Sequence, residues 1–323
     1  MSMHAAVVRS FDHPPRYETY DTPEPAEAGE TVVDVLAAGL HPRVRSGASG
    51  THYTSTGTLP MIPGIDGVGR LPDGQRIYFV VPDDTWGSMA ERAVVDPRRT
   101  VPLPENVDVA KVAAAMNPAM SSWVALRRRV PLQEGQSVLV LGATGNAGAM
   151  AVQVAKRLGA GRVIGAGRNQ ARLDELPAVG ADAVVALADD PEVTADRLGK
   201  AAAEVDIVID YLWGEPASIA MMALLKARAD RSRALDWIQI GAMAGPTIEL
   251  PSVALRSANL RIQGNGQGAV SPRGYLAELP SLVDEIDAGT IKVEVRTVPL
   301  SDVESAWNAP ETPGVRTALI PGR

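Results

Sequence analysis

The sequence predicts an α/β fold in which a doubly wound parallel sheet is set into a β-rich domain. Three observations carry that expectation. From Ser137 onward, short apolar runs alternate with helix-like stretches, the texture of strand–helix–strand units in a parallel sheet. Before about residue 116 the chain is rich in Pro, Gly and short β-like runs, with few helical periods. After Ile262 the alternation breaks at GNGQGAVSPRG, and the earlier mixed texture returns. The expected division is 1–117, 118–262 and 263–323, the last part completing the domain that the first begins.

The elements follow in order. HAAVVRS, TVVDVLAAGL, QRIYFVV and ERAVVD read as strands, bounded by turn formers such as PDG and DPRR. Pro104–Arg129 turns Ala- and Met-rich and helical, with Asp108 as N-cap before AKVAAAM. SVLVLGA, GRVIGAG, DAVVAL, DIVIDYL and WIQIGAM are the strands of the parallel sheet. NAGAMAVQVAKRLGA and PASIAMMALLKARA are helices between them. Met150, Val154 and Leu158 recur at every fourth position and predict the buried stripe of the first helix. A helical YLAELPSLVDEIDAG and strand-like KVEVRTVPL and TALIP close the chain.

Composition narrows the function. A length of 323 residues exceeds one ordinary core and suggests two domains. Hydrophobic residues make up 46%, charged residues 21%, and mean hydropathy is +0.00, as in soluble globular proteins. With 31 basic against 38 acidic residues, the formal net charge of -7 offers no footprint for nucleic acid or an anionic membrane. The absence of cysteine excludes disulfides and thiolate zinc sites. MSMHAAVVRS lacks the apolar core of a signal peptide, and no apolar run approaches ~20 residues, so a cytoplasmic location is expected.

Gly142-Ala143-Thr144-Gly145-Asn146-Ala147-Gly148 lies between an expected strand and an expected helix. In a dinucleotide fingerprint one glycine makes the tight turn, a second admits the pyrophosphate, and a third lets helix and strand pack closely. Ala143 occupies the first slot here, with Gly145 and Gly148 in the others. The amides opening the helix would face the phosphates, aided by the helix dipole. About 20 residues further on, a carboxylate would favour NAD and an arginine NADP. The second strand ends in Gly167-Arg168-Asn169, with Arg172 close behind. Guanidinium groups grip phosphate through charge-assisted hydrogen bonds, so NADPH is the expected cofactor.

LVLGATGNAGAMAVQVAKRLGAGRVIGAGRN resembles the nucleotide-binding core of the medium-chain dehydrogenase/reductase superfamily, and in particular its zinc-free quinone oxidoreductase branch. AAGLHPRVRSGASGTHY, PGIDGVGRL, GSMAERAVVD, DIVIDYLWG, WIQIGAM and GVRTALIP resemble further motifs of that branch, in its order. The resemblance implies a GroES-like catalytic domain interrupted by a Rossmann domain, with the substrate cleft between them. It also places His41 at the first zinc-ligand slot of zinc-dependent relatives, and Ile65-Asp66 where those carry a His-Glu pair. Isoleucine cannot ligate, and a catalytic zinc takes three protein ligands, so metal-free chemistry is expected. His41 then either lines the cleft or is a buried structural histidine.

Without a metal, reduction depends on placing hydride near an electrophilic carbon and stabilising charge on the carbonyl oxygen. Quinones and α,β-unsaturated carbonyls suit that scheme. By resemblance, Tyr53 borders the nicotinamide and is the first candidate proton donor, with His41 and Ser121 as further candidates. Ser46 stands where some relatives place a second tyrosine. Matched positions put Gly241 and Ala242 beside the nicotinamide or its ribose, Asn265 at the carboxamide edge, and Leu212 over the adenosine side or ribose. Arg316 is either a phosphate or domain contact or a surface charge. A zinc-free alcohol or carbonyl oxidoreductase and a non-catalytic NADPH-binding sensor or structural protein stay open beside the quinone or enone reductase. The resemblance also implies a homodimer pairing through edge strands around WIQIGAM and IELPS.

Overall fold

The computed structural model describes residues 1–81, 85–310 and 312–322. The chain divides into two compact units. One comprises Met1–Asn117, Leu276–Gly289 and Val293–Arg323; the other comprises Pro118–Tyr275 and Thr290–Lys292. The second unit therefore runs to Tyr275, beyond the composition break at Ile262.

In the first unit, β1 (Ser2–Val7) and β2 (Arg16–Asp21) form an antiparallel pair. Strand β3 (Thr31–Leu40) buries Val33 and Val35 and exposes Asp34 between them, the period-two pattern of a strand. Helix α1 (Pro42–Ala48) follows, then β4 (Asp66–Arg70), β5 (Arg76–Val80), β6 (Arg92–Val95) and β7 (Thr100–Pro102). Glycines serve β4 because its neighbours press on it: a Cβ on Gly67 would meet the Ala37 carbonyl oxygen at 2.9 Å. Helix α2 (Val109–Val124) opens on Asp108, whose carboxylate accepts from the amides of Ala110 and Lys111, both at 3.1 Å.

The second unit runs β8 (Ser137–Leu141), α3 (Asn146–Arg157), β9 (Arg162–Gly167), α4 (Gln170–Glu175), β10 (Ala183–Ala186), α5 (Pro191–Ala202), β11 (Ile207–Asp210), α6 (Gly214–Ala227), β12 (Leu235–Gln239), α7 (Ser252–Arg256) and β13 (Leu260–Gly264). These six strands form one parallel sheet, in the order β10-β9-β8-β11-β12-β13. The order reverses between β8 and β11, which is where doubly wound sheets bind ligands at the carboxyl ends of their strands. Leu139, Ile164, Val208 and Trp237 form its core. Met150 and Val154 are buried on α3, as their spacing predicts. WIQIGAM is not a sheet edge: β12 lies between β11 and β13, and IELPS forms no strand. The edge is β13.

The chain returns to the first unit through α8 (Pro272–Asp287), β14 (Glu294–Pro299), α9 (Val303–Asn308) and β15 (Val315–Ile320). The sheet there runs β14-β15-β3-β4-β5-β7, with β6 also on β3. Its β14–β15 pair is parallel and the rest antiparallel. Among the described residues no helix is long and apolar enough to cross a membrane.

Candidate functional site

The glycine turn leaves β8 at Gly142, whose φ of 84° lies in the left-handed region that favours glycine. Its amide and that of Ala143 both donate to the Ala166 carbonyl at 2.9 Å, tying the turn to β9. The tight-turn glycine is thus Gly142, one residue before the slot that Ala143 fills; Ala143 is fully buried. Gly145 is the N-cap of α3, with no side chain capping the helix. The amides of Asn146, Ala147 and Gly148 open that helix with their dipoles aligned, an arrangement suited to a pyrophosphate. A Cβ on Gly148 would lie 2.2 Å from the Gly142 oxygen. A Cβ on Gly167 would lie 2.5 Å from Thr144 Cγ2, so Thr144 packs onto the end of β9.

Arg168 follows β9 directly; it is exposed, and no salt bridge engages it among the described residues. Asn169 caps α4, its Oδ1 accepting from the Arg172 amide at 3.2 Å. The Arg172 guanidinium pairs with Glu175. Of the two arginines read from the sequence, Arg168 is the one presented to solvent.

On the other side of the reversal point, β11 ends in Asp210, which is fully buried. Its carboxylate accepts from the amides of Leu212 at 2.8 Å and Trp213 at 2.9 Å, and from Trp237 Nε1 at 3.0 Å. Burial nevertheless raises its pKa above the ordinary carboxylate range. These bonds hold Trp213 at a φ of 50°, the one left-handed non-glycine residue described. Leu212 covers the glycine turn: a Cβ on Gly142 would meet its Cδ2 at 3.1 Å. Gly241 allows the loop after β12 to pass close to Tyr211, whose oxygen a Cβ would meet at 2.6 Å. Ala242 beside it is exposed.

Ser121, on α2, donates to the Pro118 carbonyl at 2.8 Å and shares a 2.8 Å hydrogen bond with the Tyr211 hydroxyl. Burial pushes the Tyr211 phenol up to about 12, against the opposing hydrogen bonds of Ser121 and Ser122. Asn265, 4% exposed, donates from Nδ2 to the Ser121 carbonyl at 2.8 Å. The fold therefore brings Ser121, Tyr211 and Asn265 together. Tyr211 was missed in the sequence, where its signal was a polar aromatic closing an apolar strand.

The remaining candidates belong to the β-rich unit. His41 is 3% exposed, and its Nε2 lies 3.4 Å from Asp66 Oδ1. Tyr78 donates to the other Asp66 oxygen at 2.6 Å, and burial drives its phenol pKa well up. His41 thus takes the buried structural placement. Arg316 is also buried, at 6% exposure on β15, which corrects its reading as a surface charge. Tyr53 is 71% exposed, its ring 4.3 Å from that of His52. His52 was missed. Its Nδ1 accepts from the Thr54 amide at 3.2 Å and lies 2.9 Å from the Thr54 hydroxyl, which itself accepts from Arg43 at 2.8 Å. The Thr54 proton then points at Nδ1, so His52 carries its own proton on Nε2. Burial, with help from the Arg43 charge, lowers its pKa to about 4. Among the described residues no group of three or more His, Cys, Asp or Glu is placed to hold a metal ion.

A doubly wound sheet with a dinucleotide turn at its reversal point, in a chain that also builds a β-rich unit, defines the dinucleotide-binding oxidoreductases. Comparison with known proteins agrees. Residues 147–272 match the zinc-binding dehydrogenase family. A probable NADPH-dependent quinone reductase of Emericella nidulans is 32% identical, across 99% of this chain and all of its own. Among solved structures, a probable oxidoreductase from Mycobacterium abscessus is 26% identical with a TM-score of 0.79, covering 99% of both chains. A mycobacterial quinone oxidoreductase shares the fold at a TM-score of 0.82 and 22% identity, over 99% of this chain and 100% of its own. The chain belongs to the medium-chain dehydrogenase/reductase superfamily, in its quinone oxidoreductase-like branch.

Proposed function

We propose that the chain is a zinc-independent, NADPH-dependent reductase of quinones or α,β-unsaturated carbonyl compounds. The observation that carries this reading is the pairing of an uncapped helix start behind the glycine turn with an exposed arginine at the end of the next strand. The turn fits a diphosphate, because its amides are unclaimed by side chains and glycine keeps its wall open. Arg168, with Asn169 and Arg172 beside it, would hold the 2′-phosphate. Thr144, Gly145, Asn146, Ala147 and Gly148 would hold the diphosphate, and Ala143 and Gly167 would shape its wall. Leu212, Gly241, Ala242 and Asn265 would line the second half. The name of the Emericella nidulans relative supports both the cofactor and the quinone.

NADPH would supply hydride to an electrophilic carbon. The chain's own part is to orient the acceptor and to steady charge on its oxygen. Tyr53 is the proposed hydroxyl donor, and the neutral His52 beside it presents an Nε2 proton of the same use. Ser121 holds its proton within a hydrogen-bonded pair with Tyr211, which suits support of the site more than proton transfer. We further propose a homodimer, with β13 as the sheet edge to be covered.

The test is steady-state turnover of the purified chain with NADPH and, in parallel, NADH. Ortho-quinones, enones and simple ketones are the acceptors. Turnover of quinones or enones with NADPH supports the reading. Turnover confined to simple ketones moves it to a carbonyl oxidoreductase, and tight NADPH binding without oxidation moves it to a sensor.

A further inference from the structure

The loop after β13 holds one acceptor in a fixed orientation. The Asn265 amide donates to the Gln239 carbonyl at 2.8 Å, which ties the loop to the end of β12. Arg129, from the π-helical turn Ala125–Arg129, donates to the carbonyls of Gly264 at 3.0 Å and Ala269 at 3.3 Å. The Tyr275 hydroxyl donates to the Gly266 carbonyl at 3.2 Å. The Asn265 side chain is set by its own bond. A backbone carbonyl only accepts, so Nδ2 must face Ser121 and the carboxamide cannot be flipped without breaking that contact. Ser121 is in turn fixed by Pro118 and Tyr211.

Asn265 Oδ1 is left buried, with no partner among the described residues. Buried acceptors are almost always satisfied, so an orphan on a braced loop at the carboxyl end of the sheet marks a place for a donor. Strand order says which end of a dinucleotide that is. Strands β8 to β10 form one mononucleotide half, and β9 ends at Arg168; β11 to β13 form the other, and β13 ends at Asn265. If Arg168 marks the adenosine half, Asn265 stands in the nicotinamide half.

We propose that Asn265 is a specificity-determining residue whose Oδ1 accepts a hydrogen bond from the carboxamide N–H of the nicotinamide, so the site requires an N–H donor at that position. This rests on the reading of the chain as NADPH-binding. It goes further in assigning the acceptor, its orientation, and Ser121 and Arg129 as positioning residues.

The test is equilibrium binding, by calorimetry on the full chain, of NADP⁺ and two analogues that keep the 2′-phosphate. The thionicotinamide analogue keeps the NH₂ group; the 3-acetylpyridine analogue replaces it with methyl. The expected result is near-equal affinity for NADP⁺ and the thio analogue, and affinity for the acetyl analogue roughly tenfold to a hundredfold lower. In Asn265→Ala the difference between NADP⁺ and the acetyl analogue should vanish. Equal wild-type affinity for NADP⁺ and the acetyl analogue overturns the proposal, including the case in which a ribose hydroxyl fills the acceptor. Discrimination that survives in a folded Asn265→Ala overturns it too. Failure of NADP⁺ and NADPH to bind at all is a different result, which removes the cofactor reading and this inference with it. The wild-type comparison needs no variant, so a misfolded mutant does not blunt the test.

Discussion

The carbonyl oxygen of Gly142 stands 2.2 Å from the point where a side chain on Gly148 would begin. No Cβ fits there, so the first turn of α3 can rest on the end of β8 only while residue 148 is glycine. Gly145 differs: its φ of −79° is ordinary, and a Cβ would meet Gly142 oxygen at 3.4 Å, a normal contact.

Gly148→Ala should therefore lower stability by about 1–3 kcal/mol through overpacking and weaken NADPH binding as the turn is displaced. Gly145→Ala should leave the melting curve near that of the parent. Thermal unfolding of the two variants side by side checks the contrast; equal losses would refute it.

Arg168→Ala should weaken NADPH binding by roughly tenfold to a hundredfold, the worth of hydrogen bonds to a charged group, and leave NADH nearly unchanged. Arg172→Ala should do less, because that guanidinium already engages Glu175. Dissociation constants for both nucleotides across the two variants decide it. Unchanged NADPH affinity in Arg168→Ala would reassign the phosphate contact.

His52 makes stability depend on pH in a mild range. Its folded pKa of about 4 lies below the ordinary 6.5. Between those values the unfolded chain binds a proton that the folded chain does not, so stability rises with pH across the window and falls on acidification from 6.5 toward 4. His52→Gln should flatten that part of the curve of melting temperature against pH. An imidazole proton resonance from His52 that titrates near 6.5 would contradict the assignment.

Tyr53→Phe removes the proposed proton donor while keeping the ring. The expected loss in kcat on an enone is about a hundredfold or more, the usual scale of general-acid catalysis, with little change in KM. An unchanged kcat would pass the proton to His52 or to water, and His52→Gln separates those two.

Tyr211→Phe leaves Ser121 bonded to Pro118 but removes a buried hydroxyl pair. Denaturant unfolding should show a loss of about 0.5–1.5 kcal/mol. In the parent, the phenol absorbance of Tyr211 should stay un-ionised through pH 10, since burial holds its pKa up to about 12.

Legibility followed burial. Strands β8, β9, β11 and β12 stood out because a parallel sheet covered on both faces makes continuous apolar runs. Strand β2, RYETYD, passed unread because no residue of it is fully buried. Strand β13, LRIQG, was missed as an edge with one buried residue. That omission led to the mistaken expectation that β12 was exposed on one side. Strand β4, DGVGR, looked like a turn because its glycines serve close approach to neighbouring backbone, which local sequence does not reveal.

By itself, then, the order of residues determined what depends on near neighbours: the alternation of strands and helices, the glycine turn, and an arginine where NAD-preferring sites carry an acid. Tertiary structure alone decided which groups those neighbours leave available. Ser121 and Tyr211 lie 90 positions apart, and Asn265 lies 144 from Ser121. A hydrogen bond forms only within about 3 Å, so pairings across such separations follow from how strand ends and loops are packed. That packing turned the Asn265 oxygen outward from its own bond, seated His41 on Asp66, and oriented His52 through Thr54.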